Sequence, residues 1–351
     1  MEKPASLAGR CLTETEELLT DLPRFRSKQI YKWITRGINN FEQMTDIPVS
    51  MQKDLNSRFS IYSSAVTACY KDKNTKKAVI TLKDGAKVEA VLLSDGKKRL
   101  TACISTQAGC PAGCVFCKTG SIGFKRNLDS HEIAEQFLHL LKLCEDSETQ
   151  RKIDNIVIMG MGEPLLNINN LRKAISVFTD HTGLNFSKRR ITVSTCGICE
   201  SLFDIAANGP YTRLALSLTT ADEPLRHKLM PVTKANPLEK AKEALILYQR
   251  NGGGRITLEL PLLGGINTRD KDAKLIAGFS SGIDTVINLI PWNPVAALEF
   301  EGKPLREPDK KEIMDFRHML ENYGLKVTLR LHKGQRINSA CGQLGTTTGS
   351  K

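Results

Sequence analysis

The sequence predicts an α/β protein: a partial (β/α)6 barrel behind a small helical amino-terminal module and a β-hairpin linker. Three observations lead there. From Thr101 onward six short apolar runs alternate with longer stretches of helical periodicity, the pattern of a parallel sheet covered by helices. Polar and glycine-rich motifs follow the ends of those runs, where barrel chemistry collects. Before Thr101 the alternation is absent, and helical spacing gives way to paired strand-like runs.

In the helical module, expected over 1–62, Phe25, Ile30, Trp33 and Ile34 recur at helical spacing and stop at Gly37; Asp46 and Pro48 then precede a second short helix. The linker, expected over 63–95, contains "AVTACYKD" and "KAVITLKDGAKVEAVLLSDG", strand-like runs turning at "KNTK" and "DGAK". The barrel core is expected over 96–300. Its strands are read in "TACIST", "IDNIVIMG", "RRITVST", "RLALSLTT", "RITLELPL" and "TVINLIPW". Its helices are read in "DSHEIAEQFLHLLKL", "NINNLRKAISVFT", "NPLEKAKEALILYQR" and "DKDAKLIAGF". The last segment, 301–351, holds a helix "KKEIMDFRHMLENYG", a strand "KVTLRL", Cys341 and a tail "GTTTGSK" expected to be mobile. Strand order is not visible in sequence, so a doubly wound sheet stays open as the alternative.

A chain of 351 residues holds a large core and a smaller module. The start "MEKPASLAGR" has neither the basic residues nor the apolar stretch of a secretory signal, and no apolar run approaches the roughly 18 residues of a membrane span. The expectation is a soluble, cytoplasmic, monomeric protein with no membrane partner, in which thiols stay reduced. Net charge is +12, with basic runs "YKDKNTKK", "GKKR", "FKRN" and "SKRR". Such charge suits a polyanion such as nucleic acid; solvated surface lysine is the plain alternative.

Four of the ten cysteines fall in "CISTQAGCPAGCVFC". Cys110, Cys114 and Cys117 are spaced C-x3-C-x2-C on a loop whose glycines and proline let it curl, so that three thiolates converge. A structural zinc site wants four ligands. A cubane iron-sulfur cluster takes one thiolate per iron, so three ligands leave one iron open. "GMGEP" places Glu163 after Gly160 and Gly162, where the backbone approaches a ligand and a carboxylate meets an ammonium; an exposed turn is the alternative. Cys103 faces the same side as Thr101 and Ser105 by strand alternation. Glu89 is the one charge between Val88 and Leu93, either a base with a raised pKa or an exposed edge-strand acid. Cys341 alone reads as a small buried hydrophobe. Cys196 and Cys199 form C-x2-C without a second pair and read as packing, as do Cys11, Cys69 and Cys144. The six histidines show no ligand spacing.

"GCPAGCVFC" resembles the signature of radical S-adenosylmethionine enzymes. Together with "IMGMGEPLLNINNL", "SKRRITVSTCG", "NLIPWNP" and "SACGQL", in this order over nearly the whole chain, it resembles the RlmN/Cfr family of RNA methyltransferases. The resemblance implies a radical S-adenosylmethionine barrel with a [4Fe-4S] cluster on Cys110, Cys114 and Cys117, its open iron chelated by the methionine part of S-adenosylmethionine. It places Gly162, Glu163, Ser194, Ser217, Leu218, Thr219 and Asn293 at the cofactor-binding positions. Thr219 stands where the family has histidine, so a backbone contact would survive and a side-chain contact would not.

The resemblance further implies two S-adenosylmethionine molecules per turnover. The first methylates Cys341, and the second yields a 5'-deoxyadenosyl radical that takes hydrogen from the methylated cysteine. The carbon radical adds to C2 of adenosine, Glu89 accepts the C2 proton, and Cys103 attacks the Cys341 sulfur to release 2-methyladenosine. One extra residue separates Glu89 from the cysteine motif relative to the family. Implied partners are adenosine 2503 of 23S ribosomal RNA, adenosine 37 of transfer RNA as a second candidate, and an electron donor such as flavodoxin or ferredoxin. "GEPLLN" and "IPWNP" favour C2 over the sister enzymes that methylate C8. From a different class, a non-catalytic RNA-binding zinc protein would share the charge and the cysteines but not the strand-end motifs.

Overall fold

The computed structural model of the chain describes residues 5–96, 99–145, 152–330 and 334–345. Lys97 and Lys98 of "GKKR" and the tail beyond Gly345 lie outside the described residues. Among the described residues no helix is long and apolar enough to cross a membrane.

The amino-terminal segment forms α1 (Leu12–Leu18), α2 (Arg24–Thr35) and α3 (Val49–Arg58). Cys11 is used at the start of α1: its sulfur accepts the Glu14 N–H while its own N–H donates to the Glu14 carboxylate, a capping box. Pro23 and Pro48 stand immediately before α2 and α3. The buried face of α2 is Ser27, Ile30, Tyr31 and Ile34, whereas Phe25 is 58% exposed and lies under the Arg26 guanidinium. The expected apolar face is therefore rotated: Tyr31 replaces Phe25, because its hydroxyl reaches Asp180 of the barrel at 2.8 Å.

Ten strands form one sheet, and their order in space is their order in sequence. The first three, β1 (Ala65–Asp72), β2 (Thr75–Thr81) and β3 (Lys87–Ser94), are an antiparallel meander turning where "KNTK" and "DGAK" foretold. β3 pairs antiparallel with β4 (Leu100–Cys103), setting Val91 opposite Cys103. From β4 the sheet is parallel through β5 (Asn155–Ile158), β6 (Ile191–Thr195), β7 (Arg213–Ser217), β8 (Ile256–Leu262), β9 (Thr285–Pro291) and β10 (Val327–Leu329). The six expected strands are joined by the carboxyl-terminal one, and the barrel stays open: β1 and β10 are the two edges. β4 is shorter than "TACIST", so Ser105 lies beyond the strand end rather than beside Cys103 on one face.

Helices α4 (Ser130–Glu145), α5 (Ile168–Thr179), α6 (Cys199–Asn208), α7 (Leu238–Arg250), α8 (Asp270–Ser280) and α9 (Lys310–Asn322) alternate with the parallel strands. In α7, Leu238, Ala241, Ala244, Leu245 and Tyr248 are buried at i, i+3 and i+4 spacing, and each large side chain so buried contributes about 2 kcal/mol. Along the strands one set of residues, including Ile156, Val193, Leu214, Leu216, Leu258 and Ile287, is fully or nearly fully buried. The alternate set, Thr192, Thr257, Glu259, Asn288, Thr328 and Arg330, lines an interior space of about 1080 Å³. Period-two alternation thus gives the barrel an apolar outside and a polar inside.

Candidate active site

The three cysteines sit on the loop leaving β4. Gly109 must be glycine: it has φ +80°, and a Cβ there would lie 1.9 Å from the Gly123 carbonyl oxygen, the same oxygen that accepts the Cys110 N–H at 3.0 Å. The loop is held by one internal bond and from two other sides. The Cys117 N–H bonds to the Cys114 carbonyl, the Val115 N–H to Leu229, and the indole N–H of Trp292 to the Phe116 carbonyl at 2.8 Å. Cys110, Cys114 and Cys117 are free thiols facing one cavity of about 190 Å³. Burial pushes Cys110 up to about 12 and raises Cys114 and Cys117, and each thiol's neighbours in the triplet add to the shift for Cys110 and Cys114; for Cys117 burial leads and the close presence of Cys341 adds. Among the described residues no group of three His, Cys, Asp or Glu side chains that could hold a single metal ion is formed. Three thiols around a cavity of this size are a donor set that fits an iron-sulfur cluster, which would displace their protons as it binds.

The same cavity is lined by Gly162, Glu163, Ser194, Ser217, Asn293 and Cys341. The "GMGEP" glycines have a packing reason that sequence reading missed. A Cβ on Gly160 would meet the Ser105 hydroxyl at 2.6 Å, and one on Gly162, at φ +102°, would meet the Gln107 side chain at 2.6 Å. The two loops interlock through Met161 N–H to Ser105 Oγ, Thr106 N–H to the Met161 carbonyl and Glu163 N–H to Gln107 Oε1. Glu163 is buried, not an exposed turn acid; its oxygens accept the N–H groups of Leu165 at 3.0 Å and Cys196 at 2.8 Å. Burial raises its pKa, and these donors oppose the rise. Ser194 and Ser217 hydroxyls lie 3.3 Å apart on β6 and β7.

Leu218 and Thr219 do not line the cavity. Leu218 is core, and its N–H and carbonyl are bonded to Leu216 or Glu259 and to the buried Arg226. Thr219 takes a left-handed φ of +63°, with its N–H on the Glu259 carbonyl and its own carbonyl on Asn267. Both side chains are buried.

Cys103 and Cys341 line a second, smaller cavity of about 30 Å³, with Met159, Asn293, Arg330 and Leu344. Cys103 is 7% exposed, and burial, then Cys341, pushes its thiol up to about 12 while Arg330 pulls it down. The segment bearing Cys341 is tied down rather than loose. Its carbonyl accepts the Asn293 amide at 3.0 Å, Gly342 accepts the Lys118 N–H at 2.8 Å, and Leu344 accepts the Thr119 hydroxyl at 2.7 Å. Glu89, 2% exposed, is not an edge acid; it pairs with Lys77 and accepts the Gly345 N–H. Several charges inside the fold escaped sequence reading, among them buried Glu259 and Arg226 and half-buried Arg330. Arg330 and Glu259 face each other inside the barrel, and Arg226 bonds the carbonyls of Cys196 and Leu218. For Glu259 and Arg330 the signal is a lone charge in an apolar run, whereas Arg226, beside Glu223, His227 and Lys228, carries no such signal. Cys196 also lines the large cavity, whereas Cys199 begins α6 with its N–H on Asn236.

Comparison with known proteins shows the family. The Radical SAM superfamily profile matches residues 104–275, and the profile described as Ribosomal RNA large subunit methyltransferase N-terminal domain matches 16–61. A protein of Treponema denticola named probable dual-specificity RNA methyltransferase RlmN is 45% identical over 97% of this chain and 96% of its own. The dual-specificity RNA methyltransferase RlmN of Lawsonia intracellularis is 40% identical over 92% of this chain and 90% of its own. The crystal structure of a radical SAM methyltransferase from Sphaerobacter thermophilus superposes with a TM-score of 0.91 at 33% identity, covering 97% of this chain and 99% of that one.

Proposed function

The chain belongs to the RlmN family of radical S-adenosylmethionine RNA methyltransferases, and from that membership we propose that it methylates C2 of adenosine in 23S ribosomal RNA, with transfer RNA as a second substrate. The observation that carries the proposal is one cavity walled by Cys110, Cys114, Cys117, Glu163, Ser194, Ser217, Asn293 and Cys341, opening beside a smaller one shared by Cys341 and Cys103. When bound, a [4Fe-4S] cluster and S-adenosylmethionine supply a methyl group and a carbon-centred radical, which a C2 position too electron-poor for polar methylation requires.

Within this reading each side chain has a bounded task. Cys110, Cys114 and Cys117 hold the cluster, and Glu163 with the serines of β6 and β7 orients the cofactor's polar groups. Cys341 carries the methyl group to RNA. Glu89, buried beside the Cys341 segment, takes the C2 proton. Once the adduct has given up one electron and the C2 proton, the Cys103 thiolate attacks the Cys341 sulfur to form a disulfide; the electron pair of the sulfur–carbon bond leaves with the transferred carbon, which takes a proton to complete the methyl group, and an external thiol reduces the disulfide afterwards. The helical module and the basic surface meet the RNA.

Nucleoside mass spectrometry of ribosomal and transfer RNA, from cells with and without the gene, tests the proposal. The expected product is 2-methyladenosine; 8-methyladenosine alone overturns the regiochemistry. Protein purified without oxygen is expected brown with about four irons per chain, and a colourless zinc protein overturns the class. Cys103→Ala is expected to accumulate a covalent RNA adduct that Cys341→Ala cannot form, whereas normal turnover by either variant refutes the thiol roles.

A further inference from the structure

Lys77 on β2 is fully buried. Its ammonium lies 3.3 Å from Glu89 Oε1 and 3.2 Å from the Asn338 carbonyl oxygen, with the Tyr70 ring centroid 5.2 Å away. The other oxygen of Glu89 accepts the Gly345 N–H at 2.9 Å. Asn338 precedes Cys341 in the chain and Gly345 follows it, and both backbones turn through positive φ, +48° and +110°. One buried ion pair therefore grips both ends of the segment that presents Cys341. Burying such a pair carries a desolvation penalty of several kcal/mol per ion, which apolar residues at these two buried positions would avoid.

We propose that Lys77 is a positioning residue for methyl transfer: with Glu89 it forms a clamp that fixes the Cys341 segment and holds the base as a carboxylate. The inference rests on the preceding reading for the roles of Cys341 and Glu89. Lys77 is the charged group that faces Glu89; the carboxyl-terminal segment brings only a backbone donor, and Ser105 bonds the Glu89 carbonyl rather than its carboxylate. Burial raises the Glu89 pKa, and Gly345 and Lys77 work against that rise. When Glu89 takes a proton from carbon, the C–H electron pair stays on the substrate. The clamp then loses its negative partner and its strongest acceptor for Gly345, so protonation of the base loosens the grip on the segment.

The test uses the full-chain holoenzyme with Lys77→Met, Lys77→Arg and Glu89→Gln. Amide hydrogen exchange over 334–345, read by mass spectrometry, is expected to speed up on the order of tenfold in Lys77→Met and in the near-isosteric Glu89→Gln. The kcat of Lys77→Met is expected to fall, with the acid limb of its pH profile moved to higher pH, and Lys77→Arg is expected to restore both readouts. Wild-type exchange in both Lys77→Met and Glu89→Gln overturns the clamp, as does a Lys77→Met profile superimposable on wild type. Faster exchange in a protein whose product is not 2-methyladenosine leaves the clamp standing and removes the assigned chemistry.

Discussion

Burial pushes the Cys103 thiol up to about 12, with Arg330 opposing the shift. The group is therefore protonated at neutral pH, and the thiolate needed for attack on Cys341 grows about tenfold per pH unit below that value. Single-turnover release of methylated RNA from the adduct is expected to accelerate from pH 7 to pH 9, and Arg330→Met to slow it throughout; a flat profile would exclude Cys103 as the resolving nucleophile. Sequence alone reached Cys103 through strand alternation and family resemblance, but not its protonation, which depends on walls drawn from β5, β9 and the strand-end segment after β10. Glu89 was legible because it is a lone charge in an apolar run. The same pattern at Glu259 in "RITLELPL" and Arg330 in "KVTLRL" went unread, and Lys77 was hidden in a strongly basic stretch where one lysine more carries no signal.

At the scale of elements, the turn from α3 into β1 is fastened to α4 by Glu135. Its carboxylate accepts the N–H groups of Ser63 and Ser64 and, at 2.6 Å, the Ser64 hydroxyl, which also lies 3.0 Å from His139 Nε2. Burial pushes Glu135 up to about 7 against its hydrogen-bond donors and His139 down to about 4. Ser64→Ala is expected to destabilise the protein by about 1–3 kcal/mol, seen as a lower urea midpoint with an unchanged slope. Strands and helices themselves were legible because periods of two and 3.6 are local. Their order was not, since pairing is non-local. The face of α2 was misread at Phe25 because the decisive contact, Tyr31 to Asp180, comes from a distant part of the chain. The "GMGEP" glycines were singled out for backbone approach to a ligand, and the structure adds a packing reason that lies in another loop: they make room for Ser105 and Gln107.

For the whole molecule, the net charge of +12 predicts RNA binding that weakens steeply with salt. Lys188 and Arg189 are exposed at the turn leading into β6. Converting both to Gln is expected to weaken RNA binding across sequences and to lower the slope of log K against log salt by about one for each phosphate no longer neutralised, measured by fluorescence anisotropy at several salt concentrations. An unchanged slope would mark this cluster as solvated surface charge. The open barrel was legible as a fold class, whereas the way its two ends are joined was not.

That joining has a consequence in time. Because the ten strands pair in chain order, each can add to the edge left by the one before it as the polypeptide emerges during synthesis. The contacts of Lys77 with Asn338 and of Glu89 with Gly345 span 261 and 256 residues, so among the described residues they close very long loops and form only after the parallel strands between them have been made. A nascent chain therefore carries the loop of Cys110, Cys114 and Cys117 and most of the wall of the large cavity well before the segment bearing Cys341 is made and docked.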